Sequence, residues 1–274
     1  VTDTLVAGTH FPPEMDAAAV AHRALAANLS DLAAMGAMPN WFTLALAMPA
    51  PSAMWLEAFT EGLKRLAQRF ELCLIGGDTV RGPLAITITA LGTVPASLAL
   101  GRRGAGSGDG IFLTGSTGGA GYAWQALVKG EALSSEDRLF GRFAWPEPRV
   151  EQGLALRGLA SAAIDVSDGL HVDLARLLEA SNVGADTYLG SVPLDPELRV
   201  RAGKTRAREL ALTGGDDYEL CFTVPAKRES EVIELAASWP CGATRIGEVT
   251  GEPGLRWHDD GRAVPAPDSA FRHF

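Results

Sequence analysis

Apolar residues recur along this chain with two different spacings, which alternate from one end to the other. Residues 16–35 and 52–70 carry apolar side chains at helical spacing, with Trp55, Leu63 and Leu66 on one side of the second segment. Shorter apolar runs, several rich in β-branched residues, lie between the helical segments and are typical of strands. Strands are predicted over 1–6, 41–48, 72–75, 84–91, 111–114, 162–166, 185–189, 219–224 and 244–249. Further helices are predicted over 122–128, 149–160, 170–181 and 226–238.

Glycine, proline and serine crowd into residues 93–110, where neither spacing continues. Such a segment is typical of a link between two compact units. Because strands and helices alternate on both sides of it, the sequence predicts an α/β (α+β) fold in two domains, 1–95 and 96–274. The length of 274 residues agrees with two domains of ordinary size.

Composition and charge argue against several classes of protein. Apolar residues make up 47% of the chain and charged residues 21%, which predicts a folded globular protein. The formal net charge is -9 and no run of Lys or Arg occurs, so a nucleic acid is a poor partner. No apolar stretch reaches the roughly 18 residues needed to cross a bilayer, and no secretory signal is visible. We therefore expect a cytoplasmic protein with no membrane partner.

The cysteines and most of the histidines give no indication of a disulfide, a zinc site or a hydrolase motif. Cys73, Cys221 and Cys241 lie far apart with no Cys-x-x-Cys pair, so buried reduced thiols are expected rather than disulfides or a zinc site. No His-x-x-x-His pair and no Gly-x-Ser-x-Gly turn occur, which disfavours a zinc protease and an α/β-hydrolase. His10 is the one histidine of interest, because it shares a segment with Asp3.

Aspartates at the ends of apolar segments are the most informative feature. They are Asp3, Asp31, Asp78, Asp165 and Asp168. A carboxylate in such a position loses water at a cost unless it is paired or binds a cation. Hard oxygen ligands suit Mg²⁺, which commonly shares its ligands with substrate phosphates. Each aspartate alone is equally well explained as a cap or turn residue, but the set favours a metal-binding function.

Glycines accompany these acids in residues 74–79, 163–170 and 212–220. In the first segment two glycines follow a predicted strand and precede Asp78, where the backbone could approach a bulky anion. In the second, Ser167 and its neighbour could cap a helix whose free N–H groups bind an anion. These turns indicate a site for phosphate groups at the ends of strands.

Two weaker signals leave alternatives open. Residues 115–121 resemble a phosphate loop in composition but lack the Walker lysine, and a flexible turn explains them equally well. Asp165 at a strand end could be the nucleophile of a Mg²⁺-dependent phosphatase, although such an enzyme would normally have its second aspartate two residues further on. In this chain Asp168 stands three residues on.

Five segments resemble, in order, the motifs of the thiamine-monophosphate kinase family. They are residues 2–11, 28–37, 76–83, 164–170 and 214–220. Each segment alone is a weak signal, whereas five in the family's order are not expected by chance. The resemblance extends over the whole chain.

The resemblance implies the PurM-like fold of an ATP-binding superfamily. In that fold an N-terminal mixed sheet forms a β-barrel interface between the two subunits of a homodimer, and the C-terminal domain is an α/β sandwich. The family transfers the γ-phosphoryl group of ATP to thiamine monophosphate with the help of several Mg²⁺ ions. The products are thiamine diphosphate and ADP, and direct in-line transfer is expected.

The resemblance also implies roles for individual residues. The implied metal ligands are Thr2, Asp3, Asp31, Asp78, Asp165 and Asp168. The implied ATP contacts are Gly77, Asp78, Arg102 and Ser167, of which Asp78 and Arg102 are the best candidates for a direct part in transfer. The implied contacts of the thiamine substrate are His10, Asp216 and Phe271.

The sequence departs from the family pattern at two points. Family members carry a further segment before the position of Thr2, with another metal-binding aspartate, and position 216 is often Glu.

Other functions compete with this one. The nearest alternatives are aminoimidazole ribonucleotide and selenophosphate synthetases of the same superfamily. Selenophosphate synthetases carry a reactive Cys near the N-terminus, and no Cys precedes Cys73. A non-catalytic nucleotide-binding subunit would be expected to lose the metal-binding aspartates.

Overall fold

The computed structural model describes residues 1–131 and 133–267, which form two mixed β-sheets with helices packed against them. The strands are β1 (Thr2–Val6), β2 (Met38–Met48), β3 (Cys73–Arg81), β4 (Ala85–Thr93), β5 (Gly110–Thr114), β6 (Ala162–Val166), β7 (Gly184–Tyr188), β8 (Glu219–Val224), β9 (Ala243–Thr250), β10 (Gly254–Asp259) and β11 (Arg262–Val264). The helices are α1 (Ala17–Ala34), α2 (Ala53–Arg69), α3 (Gly119–Val128), α4 (Arg138–Ala144), α5 (Val150–Ala155), α6 (Leu170–Ser181), α7 (Pro196–Thr213) and α8 (Glu229–Ala236).

The first sheet is open and has the strand order β1-β4-β2-β3. Strand β4 pairs antiparallel with β1 and β2, and β3 runs parallel to β2. Ile86 and Ile88 on one face of β4 are fully buried. On the other face Thr87 forms a 2.8 Å side-chain hydrogen bond with Thr4 of β1. One face of the sheet is thus covered by helices, and β1 and β3 are its two edges.

Helices α1 and α2 follow the predicted segments to within two residues, because both begin at side-chain caps. Asp16 accepts a 2.9 Å hydrogen bond from the backbone N–H of Ala19, and Ser52 accepts one of 3.3 Å from that of Trp55. Such caps satisfy N–H groups that the first helical turn leaves without partners. The sequence prediction of these two helices is confirmed.

The second sheet has seven strands in the order β11-β10-β7-β9-β5-β8-β6. From β7 through β9, β5 and β8 to the edge strand β6 the pairing is antiparallel throughout, and β10 joins β7 in parallel. Strands β5, β6 and β8 are buried along their whole length. The two sheets agree with the predicted mixed α/β architecture.

Helix α1 lies between the two sheets and ties them into one body. It packs against α2 and β4 on one side and against α5, β6 and β8 on the other. Leu25 and Leu29 of this helix have no exposed surface, and they belong to one continuous core with Phe42 of β2 and Phe222 of β8. A helix with apolar surroundings on nearly every side is expected to be rigid.

The predicted strand end at residues 72–75 is wrong, because β3 continues to Arg81. The pairing of β3 with β2 shifts register between Phe42 and Thr43, which leaves an extra residue on β3. A Cβ atom on Gly77 would lie 1.9 Å from the carbonyl oxygen of Leu44. The glycine is therefore needed for the close approach of two strands, a pairing that local sequence does not reveal.

Several elements have no counterpart among the predictions, namely α4, α7, β10 and β11. Helix α7 is rich in charged residues and is interrupted at Gly203, whose φ of 71° is not helical. Its start is marked by Asp195, which accepts a hydrogen bond from the backbone N–H of Glu197. Among the described residues, no helix combines the length and the apolar character needed to cross a bilayer.

The cysteines are unpaired, but only one is deeply buried. Cys221 of β8 is fully buried, Cys241 is half-buried, and Cys73 is exposed. The expectation of a buried thiol at position 73 is wrong because that residue starts β3, an edge strand with exposed residues along its length.

The close contact of α2 with α1 generates a prediction for stability. A Cβ atom on Gly62 would lie 2.2 Å from the carbonyl oxygen of Ala18. We expect Gly62→Ala to lower the free energy of unfolding by about 1–3 kcal/mol, because the two helix backbones must move apart. Urea unfolding followed by circular dichroism measures the change.

Gly141 of α4 provides the matched control, since a Cβ atom there would meet nothing within 4 Å. Gly141→Ala should leave stability unchanged or raise it by up to about 1 kcal/mol through helix propensity. Equal effects of the two substitutions would contradict the proposed close packing of α1 and α2.

Candidate functional site

A cavity of about 480 Å³ brings most of the sequence-predicted site residues together. Its walls come from β1, the second half of α1, the start of α3, the turn after β6 and the loop before β8. The predicted residues among its lining are Thr2, Asp3, His10, Asp31, Asp165, Ser167, Asp168 and Asp216. Four of the five predicted aspartates therefore face one space, although they lie far apart in the sequence.

Asp165 is the most deeply placed of these acids, with 5% of its surface exposed. Its Oδ2 accepts a 2.7 Å hydrogen bond from the hydroxyl of Ser30 on α1. Burial raises the pKa of Asp165, and the charge of nearby Asp31 raises it further. A charged Asp165 is therefore costly unless a cation comes close.

The pKa values of Asp31 and Asp3 are raised for the same kinds of reason. Burial raises the pKa of Asp31, and the charge of Asp3 adds to the effect. Burial also raises the pKa of Asp3, with a further increase from the charge of Asp168. Each of the three carboxylates thus raises the energy of another, and this electrostatic pattern is typical of functional sites.

The turn after β6 is held by an acid that the sequence analysis missed. Asp173, in the first turn of α6, accepts hydrogen bonds of 3.0 and 2.9 Å from the backbone N–H groups of Ser167 and Asp168. Arg176 then bridges Asp173 at 2.8 Å and Asp168 at 2.5 Å. An acidic residue in the first turn of a helix was the available signal.

Arg102 lies at a second cavity of about 320 Å³. Asp31 and Asp165 line this cavity as well as the larger one, so the two cavities share a wall of carboxylates. The positive charge of Arg102 acts to lower the pKa of Asp31, against the larger effect of burial. Two spaces that meet at acidic groups could hold two phosphate-bearing ligands end to end.

His10 and Asp216 lie in the larger cavity and are both held by their neighbours. The backbone N–H of Val6 donates a 3.0 Å hydrogen bond to Nδ1 of His10, so a neutral ring carries its proton on Nε2. Asp216 forms a 2.6 Å ion pair with the buried Arg23 of α1 and accepts a 3.3 Å hydrogen bond from the hydroxyl of Tyr218. Sequence analysis missed Arg23 and Tyr218, whose places depend on long-range packing.

Backbone N–H groups of the glycine-rich segment 115–121 already donate hydrogen bonds to a carboxylate of the same chain. Asp217 accepts hydrogen bonds from the backbone N–H groups of Gly118 at 2.6 Å and Ala120 at 3.3 Å, at the start of α3. Burial raises the pKa of Asp217 to about 7. The N–H groups at the start of α3 are therefore already bonded to a side chain of the protein, which favours a structural role for this segment over a phosphate loop.

Two predicted residues do not line the cavities. Gly77 and Asp78 lie on β3, the edge of the first sheet opposite to β1, and are exposed. Asp78 accepts a 2.8 Å hydrogen bond from the backbone N–H of Thr79. Phe271 lies outside the described residues. Within residues 1–131 and 133–267, no three His, Cys, Asp or Glu side chains converge in a geometry that could hold a metal ion by themselves.

Comparison with known proteins places both halves of the chain in one family of domains. The N-terminal domain of AIR synthase related protein matches residues 1–94, and the C-terminal domain of AIR synthase related protein matches residues 106–260. The thiamine-monophosphate kinase of Escherichia coli K12 is 44% identical over 277 residues, which cover all of this chain and 85% of that protein.

Solved structures agree with the sequence comparison. The crystal structure of the thiamine-monophosphate kinase from Stenotrophomonas maltophilia K279a superposes with a TM-score of 0.91 at 44% identity, covering 96% of this chain and 85% of that one. AaThiL complexed with AMPPCP and TMP superposes with a TM-score of 0.87 at 29% identity, covering all of this chain and 86% of that one. These identities extend over both sheets and the cavity between them, and the chain belongs to the thiamine-monophosphate kinase family.

Proposed function

We propose that this chain transfers the γ-phosphoryl group of ATP to thiamine monophosphate, giving thiamine diphosphate and ADP. The observation that carries the proposal is the carboxylate wall of Asp31 and Asp165, which two separate cavities share. A kinase for a phosphate acceptor needs two anionic ligands brought end to end, with cations where they meet. The family relationship supplies the identity of the two ligands.

Thiamine monophosphate fits the larger cavity. Its thiazolium ring is a cation, which favours acidic and aromatic surroundings. Asp216, Trp124 and Tyr218 supply these on the side formed by α3 and the loop before β8. We assign the substrate phosphate to the opposite side, near the acids of β1 and α1 and beside His10.

ATP fits the second cavity, with its phosphates directed to the shared wall. Arg102 is placed to meet those phosphates, and an arginine binds phosphate with two parallel hydrogen bonds. Ser167, the other predicted ATP contact on this side, lines the larger cavity, in the turn that Asp173 holds in place. The turn is thereby fixed before the ligands arrive, so little ordering is needed on binding.

Magnesium fits the donor set of this site. Asp3, Asp31, Asp165 and Asp168 are hard oxygen donors, and burial and mutual repulsion raise the pKa of the first three. Because Mg²⁺ keeps waters and takes only one or two protein carboxylates together with substrate phosphates, a three-carboxylate cage is not required. Bound Mg²⁺ would neutralise charge between the two phosphates and polarise the transferred group.

For this reaction the protein must orient the two substrates and compensate the charge of their phosphates, and it needs no general base. The attacking phosphate oxygen is already ionised at neutral pH, so no side chain must remove its proton. Two like unit charges about 4 Å apart repel by about 4 kcal/mol at the effective dielectric of a protein surface. Arg102 offsets part of this repulsion, and the walls of the larger cavity align the acceptor oxygen with the phosphoryl group.

A phosphatase with Asp165 as nucleophile has less support. That carboxylate is 5% exposed, and its Oδ2 is engaged by the hydroxyl of Ser30. A nucleophile must bring a free oxygen to the phosphorus atom of its substrate, whereas little of Asp165 is exposed in the wall that the two cavities share. Its position suits charge compensation better than attack.

We further propose that Asp78 acts in the site of a second copy of the chain. Within one copy, β3 stands three strand spacings from β1, which is about 14 Å. The exposed edge of β3 carries Leu74, Ile75 and Val80, all more than half exposed, as expected of an uncovered interface. If two open sheets close into one barrel, β3 of each can lie beside β1 of the other, with Asp78 next to Asp3.

Product formation and magnesium dependence are the first test. Incubation of the chain with ATP, Mg²⁺ and thiamine monophosphate should yield thiamine diphosphate, detected by chromatography and mass spectrometry. Excess EDTA should lower the rate by roughly 100-fold or more, because the phosphate charges are then uncompensated. Release of inorganic phosphate from ATP without thiamine diphosphate would contradict the kinase proposal.

Two aspartates of α1 provide a matched pair of variants. Asp31→Asn should lower kcat strongly, since it removes a charge from the shared wall. Asp16→Asn should leave kcat unchanged, because Asn also caps helices well and Asp16 lies outside both cavities. Comparable losses in the two variants would mean that α1 tolerates no change, and the charge argument would fail.

Arg102 and its neighbour allow a test of the ATP site. Arg102→Ala should raise KM for ATP by roughly tenfold or more, since a charge-assisted hydrogen bond to phosphate is lost. KM for thiamine monophosphate should stay within about twofold, because the same change leaves the larger cavity intact. Arg103→Ala is the control, because this exposed arginine lines neither cavity. Steady-state kinetics with each substrate varied in turn decides the point.

Mixed dimers test the placement of Asp78. Asp78→Asn and Asp31→Asn should each be inactive alone as dimers. Mixed together, they should recover roughly a quarter of wild-type turnover, because random pairing makes half of the dimers mixed and each then has one intact site. Sedimentation must show that both variants are dimeric. Failure of dimeric mixtures to recover activity would place Asp78 outside the partner's site.

A further inference from the structure

A buried arginine that the proposed chemistry does not use lies directly behind the larger cavity. Arg23 of α1 has no exposed surface. Its guanidinium donates a 2.8 Å hydrogen bond to the carbonyl oxygen of Phe143, and its central carbon lies 4.0 Å from the centre of the Phe143 ring. Its other terminal nitrogen forms the 2.6 Å ion pair with Oδ1 of Asp216. One side chain thus links α1 to Asp216 in the cavity wall and to Phe143 behind that wall.

The segment that carries Asp216 needs such a support. Asp216 has a φ of 69° and Tyr218 a φ of 51°, in the left-handed region that residues with a Cβ atom rarely adopt. The backbone N–H of Asp216 donates to the carbonyl oxygen of Ser167 at 2.8 Å, and that of Tyr218 donates to Val166 at 2.9 Å. A strained backbone in a cavity wall persists only when surrounding contacts hold it.

Asp216 is held by its neighbours and still lines the larger cavity. Arg23 forms its ion pair with Oδ1, and the hydroxyl of Tyr218 donates to the same oxygen. The side chain is 30% exposed. The carboxylate is therefore anchored and remains accessible from the larger cavity.

The aromatic wall depends on the same guanidinium. The ring of Phe143 stacks with that of Trp124, with centroids 5.6 Å apart and planes 20° apart. Trp124 lines the larger cavity, whereas Phe143 is fully buried behind it. Arg23 therefore supports a carboxylate and an aromatic ring that face the same space.

The contacts of Arg23 are not an efficient way to stabilise the fold. Nε of Arg23 is buried without a hydrogen-bond partner among the described residues, which carries a desolvation cost. Buried ion pairs in general stabilise a fold little compared with well-packed apolar residues of similar size. A role in positioning the cavity wall explains why Arg23 is buried despite this desolvation cost.

We propose that Arg23 is a positioning residue for thiamine monophosphate, which holds Asp216 and the Phe143–Trp124 stack in the geometry that binds the thiazolium end of the substrate. The inference rests on the proposed function, because it assigns a role within the thiamine-monophosphate site. Arg23 itself does not touch the substrate. Its loss should weaken the binding of thiamine monophosphate selectively, with ATP binding at the second cavity preserved.

The experiment compares Arg23→Met with Arg157→Met. Arg157 also connects the two halves of the chain, with a 2.5 Å hydrogen bond to the carbonyl oxygen of Gly36, but it lines neither cavity. Arg23→Met should raise the Kd of thiamine monophosphate, measured by calorimetry without nucleotide, and its KM by roughly tenfold or more. In Arg23→Met, KM for ATP should change by no more than about twofold. In Arg157→Met, the constants for thiamine monophosphate and for ATP should both stay within about twofold of wild type, even if both variants have a lower melting temperature.

Two further variants keep the test decisive. Arg23→Lys retains the charge with less anchoring, so its KM should fall between those of wild type and Arg23→Met even if the methionine variant folds poorly. Asp216→Ala should raise KM for thiamine monophosphate, and the double variant with Arg23→Met should lose less than the two single losses combined, because only the support of the aromatic stack remains to be lost. Fully additive losses would show that Arg23 acts independently of Asp216.

The possible failures are distinguishable. If the unaltered chain binds thiamine monophosphate but folded Arg23→Met and Arg23→Lys keep its Kd unchanged, the positioning role is wrong and the proposed function stands. If KM for both substrates rises equally, Arg23 is only structural. If the unaltered chain binds no thiamine monophosphate, the proposed function and this inference fall together.

Discussion

Repulsion between buried carboxylates is the constraint on which the site depends. Asp3, Asp31 and Asp165 come from different elements, yet burial and the charge of a neighbouring carboxylate, which for Asp3 is Asp168, raise the pKa of each. A fold gains nothing from such an arrangement by itself, since desolvated like charges oppose folding. Under the proposed function, cations and phosphates that enter together would lower this energy, because the two cavities share the wall of Asp31 and Asp165.

The sequence predicted the fold best where the structural signal is local. Asp16 and Ser52 cap helices that were predicted from the spacing of their apolar residues, and the buried strands β6 and β8 were predicted from their apolar runs. The bulge at β3 depends on its pairing with β2, and α7 is too highly charged and too interrupted at Gly203 to show a helical spacing. Local patterns therefore located most elements, whereas strand register and charged surface helices required the tertiary structure.

The site was predictable in part for a similar reason. Acids at the ends of apolar segments, together with the family resemblance, identified Asp3, Asp31, Asp165 and Asp168, which the structure brings to one cavity. The supporting residues Arg23, Ser30 and Asp173 carry no such signal, because a buried arginine or serine on a helix resembles any other helical residue until its distant partner is known. Ligand-facing groups follow from motifs, and the groups that hold them follow from packing.

Helix α1 limits how the molecule can move during turnover. It contacts both sheets, and its backbone lies so close to α2 and α5 that Cβ atoms on Gly62 and Gly153 would overlap its carbonyl groups. An interlocked backbone of this kind leaves little freedom for the two sheets to swing apart like a hinge. Entry of the nucleotide and departure of the products must then rely on side chains and loops around the rim, and slow steps in the catalytic cycle should trace to those segments rather than to a rigid-body opening.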